Sequence, residues 1–304
     1  MIVAPSSLSL QDLSLDLPPL DQGRAASSLA AQSLEDAAFL SGTALSRLNI
    51  VLSQAALPQP LLRERLALRA AEACVIATGR PERLAELRDA VLFLRPEDQP
   101  GPAGDTYQSW RRAAARPLSA VALHRAFPQY DTAEIETWMA AAGAGASRNP
   151  LSSAAATLEA VLRDQPKAEP LALALADATL SKKMRWSYQI PLLALSLTPR
   201  DLRKTGDALH MACHQAAASG AEQAIGLALG LIRKAEALRA IAPKLRAKGA
   251  AQAVDLFLSH DAVAPQTLTH LMSDRAARRF CERLVSLGVA RELTGRESFR
   301  LYGI

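Results

Sequence analysis

The residues best suited to chemistry in this 304-residue chain are the arginines near its C-terminal end. Arg275, Arg278, Arg279 and Arg283 lie close together. Guanidinium groups projecting from a helix can donate bidentately to phosphate or to the O6 and N7 of guanine, and a helix has the right width for a major groove. Lys244, Arg246 and Lys248 precede them, and Arg296 and Arg300 follow. Residues 244–304 hold ten Lys/Arg against six Asp/Glu, so they carry +4 of the chain's +5 and set its isoelectric point near 9.3. A surplus confined to one fifth of a chain is the electrostatic footprint of a polyanion partner, although a solvated face has the same composition.

Other constellations are weaker. His210, Cys213 and His214 form HxxCH, which on a helix puts three metal-binding side chains on one flank. A fourth ligand and a supporting CxxC are missing, so Cys213 is expected to pack in a core beside partly exposed histidines. Lys182, Lys183, Arg185, Trp186 and Tyr188 make a basic-aromatic patch that could grip a nucleic-acid backbone and stack a base. A helix end with cations near its C-terminus, closed by a core tryptophan, explains the patch more simply. The run from Asp98 to Gly104 lacks a following GK[ST], and its prolines remove amide donors that a phosphate cradle needs. GxGxxG, GxSxG and HExxH are absent, His124, His260 and His270 stand alone, and Glu134 and Glu136 are ordinary surface acids. No catalytic residue, metal or cofactor is expected.

The elements that must position the arginines follow from periodicity. Ser273 is placed to cap a helix running to Leu287, with Gly288 at the C′ position. Ala277, Phe280, Cys281 and Leu284 fall at i, i+3, i+4 and i+7 and form its core face, which leaves Arg275, Arg278, Arg279, Glu282 and Arg283 around the other side. A helix is predicted over 248–259 and a short one over 265–271. Residues 289–293 and 298–302 alternate like strands about the turn Thr294-Gly295-Arg296-Glu297. Three helices followed by a hairpin is the order of a winged helix-turn-helix, assigned here to 244–304. Arg278 and Arg279 are then expected to face a bound groove, with Arg296 and Arg300 on the wing.

Upstream, residues 1–31 are rich in Ser, Leu and Pro and read as a mobile tail. Residues 32–240 read as one irregular all-helical domain. Its first helix begins after Ser33, with Leu34, Ala38, Leu45, Leu48 and Leu52 on one face, and ends at Pro58. Further helices are predicted over 61–78, 82–94, 106–115, 119–126, 132–142, 152–163, 169–184, 189–196, 199–218 and 221–240. The segments 95–104 and 143–147 are predicted as loops.

Composition agrees. Aromatic residues are 4% of the chain and charged residues 21%, with alanine and leucine dominant, which disfavours a β-sandwich or barrel and excludes wholesale disorder. Three scattered cysteines, Cys74, Cys213 and Cys281, suit a reducing compartment. The first twenty residues lack a basic region and contain Asp12 and Asp16, so neither a signal peptide nor an anchor is expected. A soluble, cytoplasmic protein with no membrane association is the expectation.

Five segments carry a resemblance: Arg88-Asp89-Ala90-Val91-Leu92; the Asp98 to Gly104 run; Leu175-Ala176-Asp177-Ala178 with Trp186 and Pro191-Leu192-Leu193-Ala194; Ala242-Pro243-Lys244-Leu245-Arg246-Ala247-Lys248-Gly249; and the ending from Leu293-Thr294-Gly295-Arg296 to Phe299-Arg300-Leu301-Tyr302-Gly303. In this order they resemble the domain-of-unknown-function family numbered 1403, known from alphaproteobacteria and often from their plasmids. The resemblance covers about residues 35–304. It implies a shared architecture and brings no catalytic residues. The ending also looks like the winged helices that follow the catalytic domain in some Fic-type nucleotidyl transferases, but the HxFxDGNGR signature of those enzymes is absent.

Together these readings point to a mainly α, non-enzymatic protein that binds duplex DNA through a C-terminal winged helix. The helical domain would serve partner binding, sensing or dimerisation. An adaptor contacting protein in a chromosome- or plasmid-handling complex is the alternative.

Overall fold

The computed structural model describes residues 33–95, 97–141, 149–296 and 299–304. The predicted tail (1–31) and the predicted loop at 143–147 lie outside them. In chain order the helices are α1 (Leu34–Leu52), α2 (Gln59–Ala77), α3 (Leu84–Leu92), α4 (Gly101–Ala115), α5 (Ala120–Ala126), α6 (Thr132–Ala141), α7 (Pro150–Asp164), α8 (Glu169–Lys183), α9 (Gly206–Ile241), α10 (Ala250–Ser259) and α11 (Asp274–Ser286), followed by strands β1 (Arg291–Glu292) and β2 (Tyr302–Gly303). The fold is mainly α. Among the described residues, no helix is long and apolar enough to cross a membrane.

Local sequence accounts for most boundaries. Ser33 and Asp36 form a reciprocal capping box at the start of α1. Prolines open α2, α7 and α8, where the missing N–H costs nothing. The same rule corrects the predicted 95–104 loop: Gly101 and Pro102 already belong to the first turn of α4. The face of α1 is also turned from its prediction, because Ala37, Ser41, Ala44, Leu45, Leu48 and Val51 are buried while Leu34 is exposed.

Two further expectations are overturned. Residues 189–196 are not helical, and 199–218 and 221–240 are parts of the single 36-residue helix α9, which begins only at Gly206. The two corrections share a cause. Gly220 sits inside α9 where the helix crosses the Leu192 carbonyl, and a Cβ there would lie 2.3 Å from that oxygen. The glycine marks a close approach, not a break. On the other side of the same loop, the buried Asp177 of α8 accepts the backbone N–H groups of Leu192 (2.9 Å), Leu193 (2.8 Å) and Ala194 (3.1 Å). A buried, non-helical turn segment has these amides satisfied by a side chain instead of a helix ladder.

Burial pushes the Asp177 carboxyl up to about 7 against the pull of those three amides. Asp177→Ala would leave three buried donors without an acceptor, so the expected loss is about 3 kcal/mol or more of unfolding free energy. A urea titration showing less than about 1 kcal/mol would mean that the loop finds other partners.

Helix α9 packs along α1, where Ser41 Oγ meets His214 Nδ1 at 2.7 Å and Arg47 pairs with Glu222 at 2.6 Å. The apolar cluster containing Leu66 and Leu238 continues without a gap into Phe257, Phe280 and Leu284, so residues 250–304 share one core with the helices before them. Cys74, Cys213 and Cys281 are buried free thiols, each pushed up to about 12 by burial, which leaves them protonated and inert.

Candidate nucleic-acid interface

Helix α11 forms as its sequence predicts. Ser273 Oγ accepts the Ala276 N–H, Gly288 takes the left-handed conformation just beyond the end, and Ala277, Phe280, Cys281 and Leu284 are buried. The exposed side then divides into two stripes, because residues four apart lie one above the other on a helix. Arg275, Arg279 and Arg283 make one; Asp274, Arg278 and Glu282 make the other.

The first stripe borders a groove of about 510 Å³ whose far wall includes Leu245, Arg246 and Ala247. Among the described residues no carboxylate pairs with Arg246, Arg275, Arg279 or Arg283. Lys244 and Lys248 are exposed on either side of Arg246. Four cations without an ion-pair partner among the described residues thus face one groove. The second stripe is different in charge: Arg278 pairs with Asp274 at 3.1 Å and shares a hollow of about 400 Å³ with Glu282, Phe299 and Arg300. Two acids outweigh its one base.

Strands β1 and β2 lie on the side of the second stripe, where Tyr302 lines the same hollow as Arg278 and Glu282. Strand β1 pairs antiparallel with β2, Arg291 opposite Gly303 and Glu292 opposite Tyr302. Val263 adds a third extended segment, exchanging backbone bonds with Tyr302 at 2.8 and 2.9 Å. Gly303 is required here, since a Cβ would meet the Asp261 carbonyl at 2.6 Å.

The two arginines expected on a wing, Arg296 and Arg300, do not line the groove of the first stripe. Arg296 pairs with Asp89 of α3, and its guanidinium lies 5.8 Å from the Phe93 ring. Phe299 packs edge-on against the same ring at 5.9 Å. Arg296 and Phe299 are therefore both docked against α3 and the Phe93 that follows it. Arg300 Nε donates to the Arg296 carbonyl (2.9 Å) and lies 3.8 Å from Glu292. Of the nine cations singled out in sequence, the fold gathers Arg246, Arg275, Arg279 and Arg283 into one groove with Lys244 and Lys248 nearby, and turns Arg278, Arg296 and Arg300 elsewhere.

A buried ionic cluster fixes this segment to the helices before it, and sequence reasoning missed it. Asp261 is 1% exposed and accepts from Arg65 Nε of α2 (2.9 Å) and from Arg88 of α3. Its backbone N–H donates to Glu64 (2.9 Å), which also meets His260 and Arg111, each at 3.2 Å. Burial alone would push the Asp261 carboxyl up, but Arg88 and then Arg65 outweigh it and hold the group below the ordinary aspartate range. Glu64 is held low in the same way, burial being outweighed by His260, Arg111 and the Asp261 amide. The only sequence signal was an acid set in an apolar stretch, with partners more than 170 residues away.

The remaining constellations resolve locally. His214 is committed to Ser41, Cys213 lies in the core, and among the described residues no group of three His, Cys, Asp or Glu side chains is placed to hold a metal. Trp186 packs against the core and donates to Asn49 (3.0 Å), while Lys182 and Lys183 are exposed at the end of α8.

A family model described as "Protein of unknown function (DUF1403)" matches residues 10–304. The chain belongs to that family. No curated protein matches it. Arg88, Asp89 and Asp177, which lie in the segments quoted above for the resemblance, are structural in this member: Arg88 and Asp89 hold the C-terminal segment, and Asp177 holds the loop that crosses α9.

Proposed function

We propose that this protein binds duplex DNA through the Arg275–Arg279–Arg283 stripe of α11, with Arg246 across the groove, and that its C-terminal segment is a winged helix. The observation that carries this reading is four guanidinium groups around one groove with no carboxylate partner among the described residues. Three arginines spaced over eight residues extend about 12 Å along a helix, the axial rise of about three to four nucleotides of one strand. The order of elements supports the winged-helix assignment: α10, the extended residue Val263, the 3₁₀ turn Pro265–Leu268, α11, then β1 and β2, with Val263 and β1 flanking β2. The role is binding, and the arrangement suggests no reacting group.

The adaptor reading draws on Val285 and Leu287, which are 38% and 36% exposed at the end of α11. Anisotropy titration of the full chain with a mixed-sequence duplex at 50 and 200 mM salt separates the two. Four phosphate contacts predict a drop in affinity of about 10²-fold over that interval. Absence of binding at 50 mM salt would remove the DNA reading and leave the adaptor.

A further inference from the structure

A second basic site lies away from α11, at the junction of α1, α2 and the segment that follows α8. A cleft of about 400 Å³ is lined there by Asn49, Gln59, Arg63, Arg185, Trp186 and Tyr188. The Arg63 guanidinium carbon lies over the Tyr188 ring, 3.7 Å from its centroid, and its Nε is buried with no hydrogen-bond acceptor among the described residues. A buried donor without an acceptor is uncommon enough to need a reason. Neither Arg63 nor Arg185 pairs with a carboxylate among the described residues.

Three further features point the same way. Arg185 has φ of +60° because it is the C′ residue of the turn that ends α8, where the Trp186 N–H donates to the Ser181 carbonyl (2.9 Å); the turn sets Arg185 in the lining of the cleft at a conformation that glycine would adopt more freely. Gln59 is the first residue of α2, which brings the positive end of a 19-residue helix to the same place. Trp186 is half-buried, and its bond to Asn49 fixes the plane of the indole while part of it stays open. The cleft therefore combines two cations with a fixed aromatic surface.

We propose that this cleft binds a nucleoside 5′-phosphate, with the phosphate on Arg63 and Arg185 and the base against Trp186. An inorganic anion alone would leave the indole unused, and an uncharged aromatic would leave the guanidinium groups without a counter-charge. The phosphate belongs either to a free nucleotide or to the 5′ end of a single strand.

Calorimetry on the full chain tests this with adenosine and cytidine monophosphates, adenosine, inorganic phosphate and a 5′-phosphorylated hexanucleotide. A monophosphate, the hexanucleotide or both should bind, with adenosine and phosphate each at least tenfold weaker. Tighter binding of the hexanucleotide identifies a strand end as the source; equal or tighter binding of the monophosphate identifies the free nucleotide. Glycine adopts the backbone conformation at 185 more freely, so in Arg185→Gly the melting temperature should hold or rise while affinity falls at least tenfold, and Arg63→Gln should weaken binding similarly. No binding of any phosphorylated probe at millimolar concentration, equal binding of inorganic phosphate, or unchanged affinity in Arg185→Gly would each overturn the assignment. Alanine at Arg275, Arg279 and Arg283 should leave this binding intact, so its outcome is independent of the duplex-binding proposal.

Discussion

Replacing Arg275, Arg279 and Arg283 together by alanine is expected to lower affinity for mixed-sequence duplex by about 10²- to 10³-fold at 0.1 M salt, at roughly 1 kcal/mol or slightly more per lost contact. The salt dependence should flatten as well, by about three ions, because each phosphate contact releases close to one counterion. All three side chains are exposed and without ion-pair partners among the described residues, so the variant should melt within a few degrees of the parent. The controls are as informative as the variant. Arg278 is already neutralised by Asp274, and Arg278→Ala should change affinity by less than a factor of about three, within the modest worth of an exposed pair. Arg296→Ala should lower thermal stability instead, since Arg296 pairs with Asp89 and lies over Phe93. An affinity loss confined to Arg278→Ala or Arg296→Ala, with the triple variant binding normally, would mean that nucleic acid meets the other side of α11.

That contrast between neighbouring arginines marks where sequence reading stops. The core face of α11 was legible because Ala277, Phe280, Cys281 and Leu284 keep helical spacing, and the cap at Ser273 and the glycine at 288 delimit it. Which exposed arginines stay free depends on what surrounds the helix. Arg278 and Arg279 are adjacent in sequence, yet one points toward Glu282 and the hairpin and the other toward Arg246. A residue step of about 100° on a helix is enough to separate them. The partner of Arg296 is 207 positions away, and no local pattern encodes it.

The same limit explains the two misread regions of the helical part. Proline at 191 followed by Leu192, Leu193 and Ala194 looks like the first turn of an apolar helix, and isolated peptides of that composition favour one. Here the amides of all three residues go to one buried carboxylate on α8, and the carbonyl of Leu192 lies against Gly220. Tertiary contacts replaced the helix ladder. In α9 the reverse happened, since Ser219 and Gly220 look like a stop but cost a long helix little when packing on α1 continues beyond them.

The largest expected effect on stability belongs to Asp261. Its carboxylate is flanked by Arg65 and Arg88, whose side chains are 11% and 13% exposed, so Asp261→Asn leaves two nearly buried cations without a counter-charge. The expected loss is about 3–5 kcal/mol, the range found when one partner of a buried pair is removed. Two companion measurements separate this charge effect from general damage to the core. Arg65→Met/Asp261→Leu/Arg88→Met removes all three charges at similar volume and should recover most of that loss, because the desolvation of the ions disappears with their attraction. The acid limb of the stability curve should change too. The folded protein holds Asp261, and with it Glu64, below the ordinary carboxylate range, so their contribution is present above the unfolded-state values near pH 4 and is lost as pH falls through the depressed folded values. The parent should therefore lose stability steeply below about pH 4, and Asp261→Asn less steeply, with Glu64 supplying the remainder. If Asp261→Asn cost under about 1 kcal/mol and kept the parental acid profile, the two arginines would be solvated in solution and the C-terminal segment would be held by its apolar contacts alone.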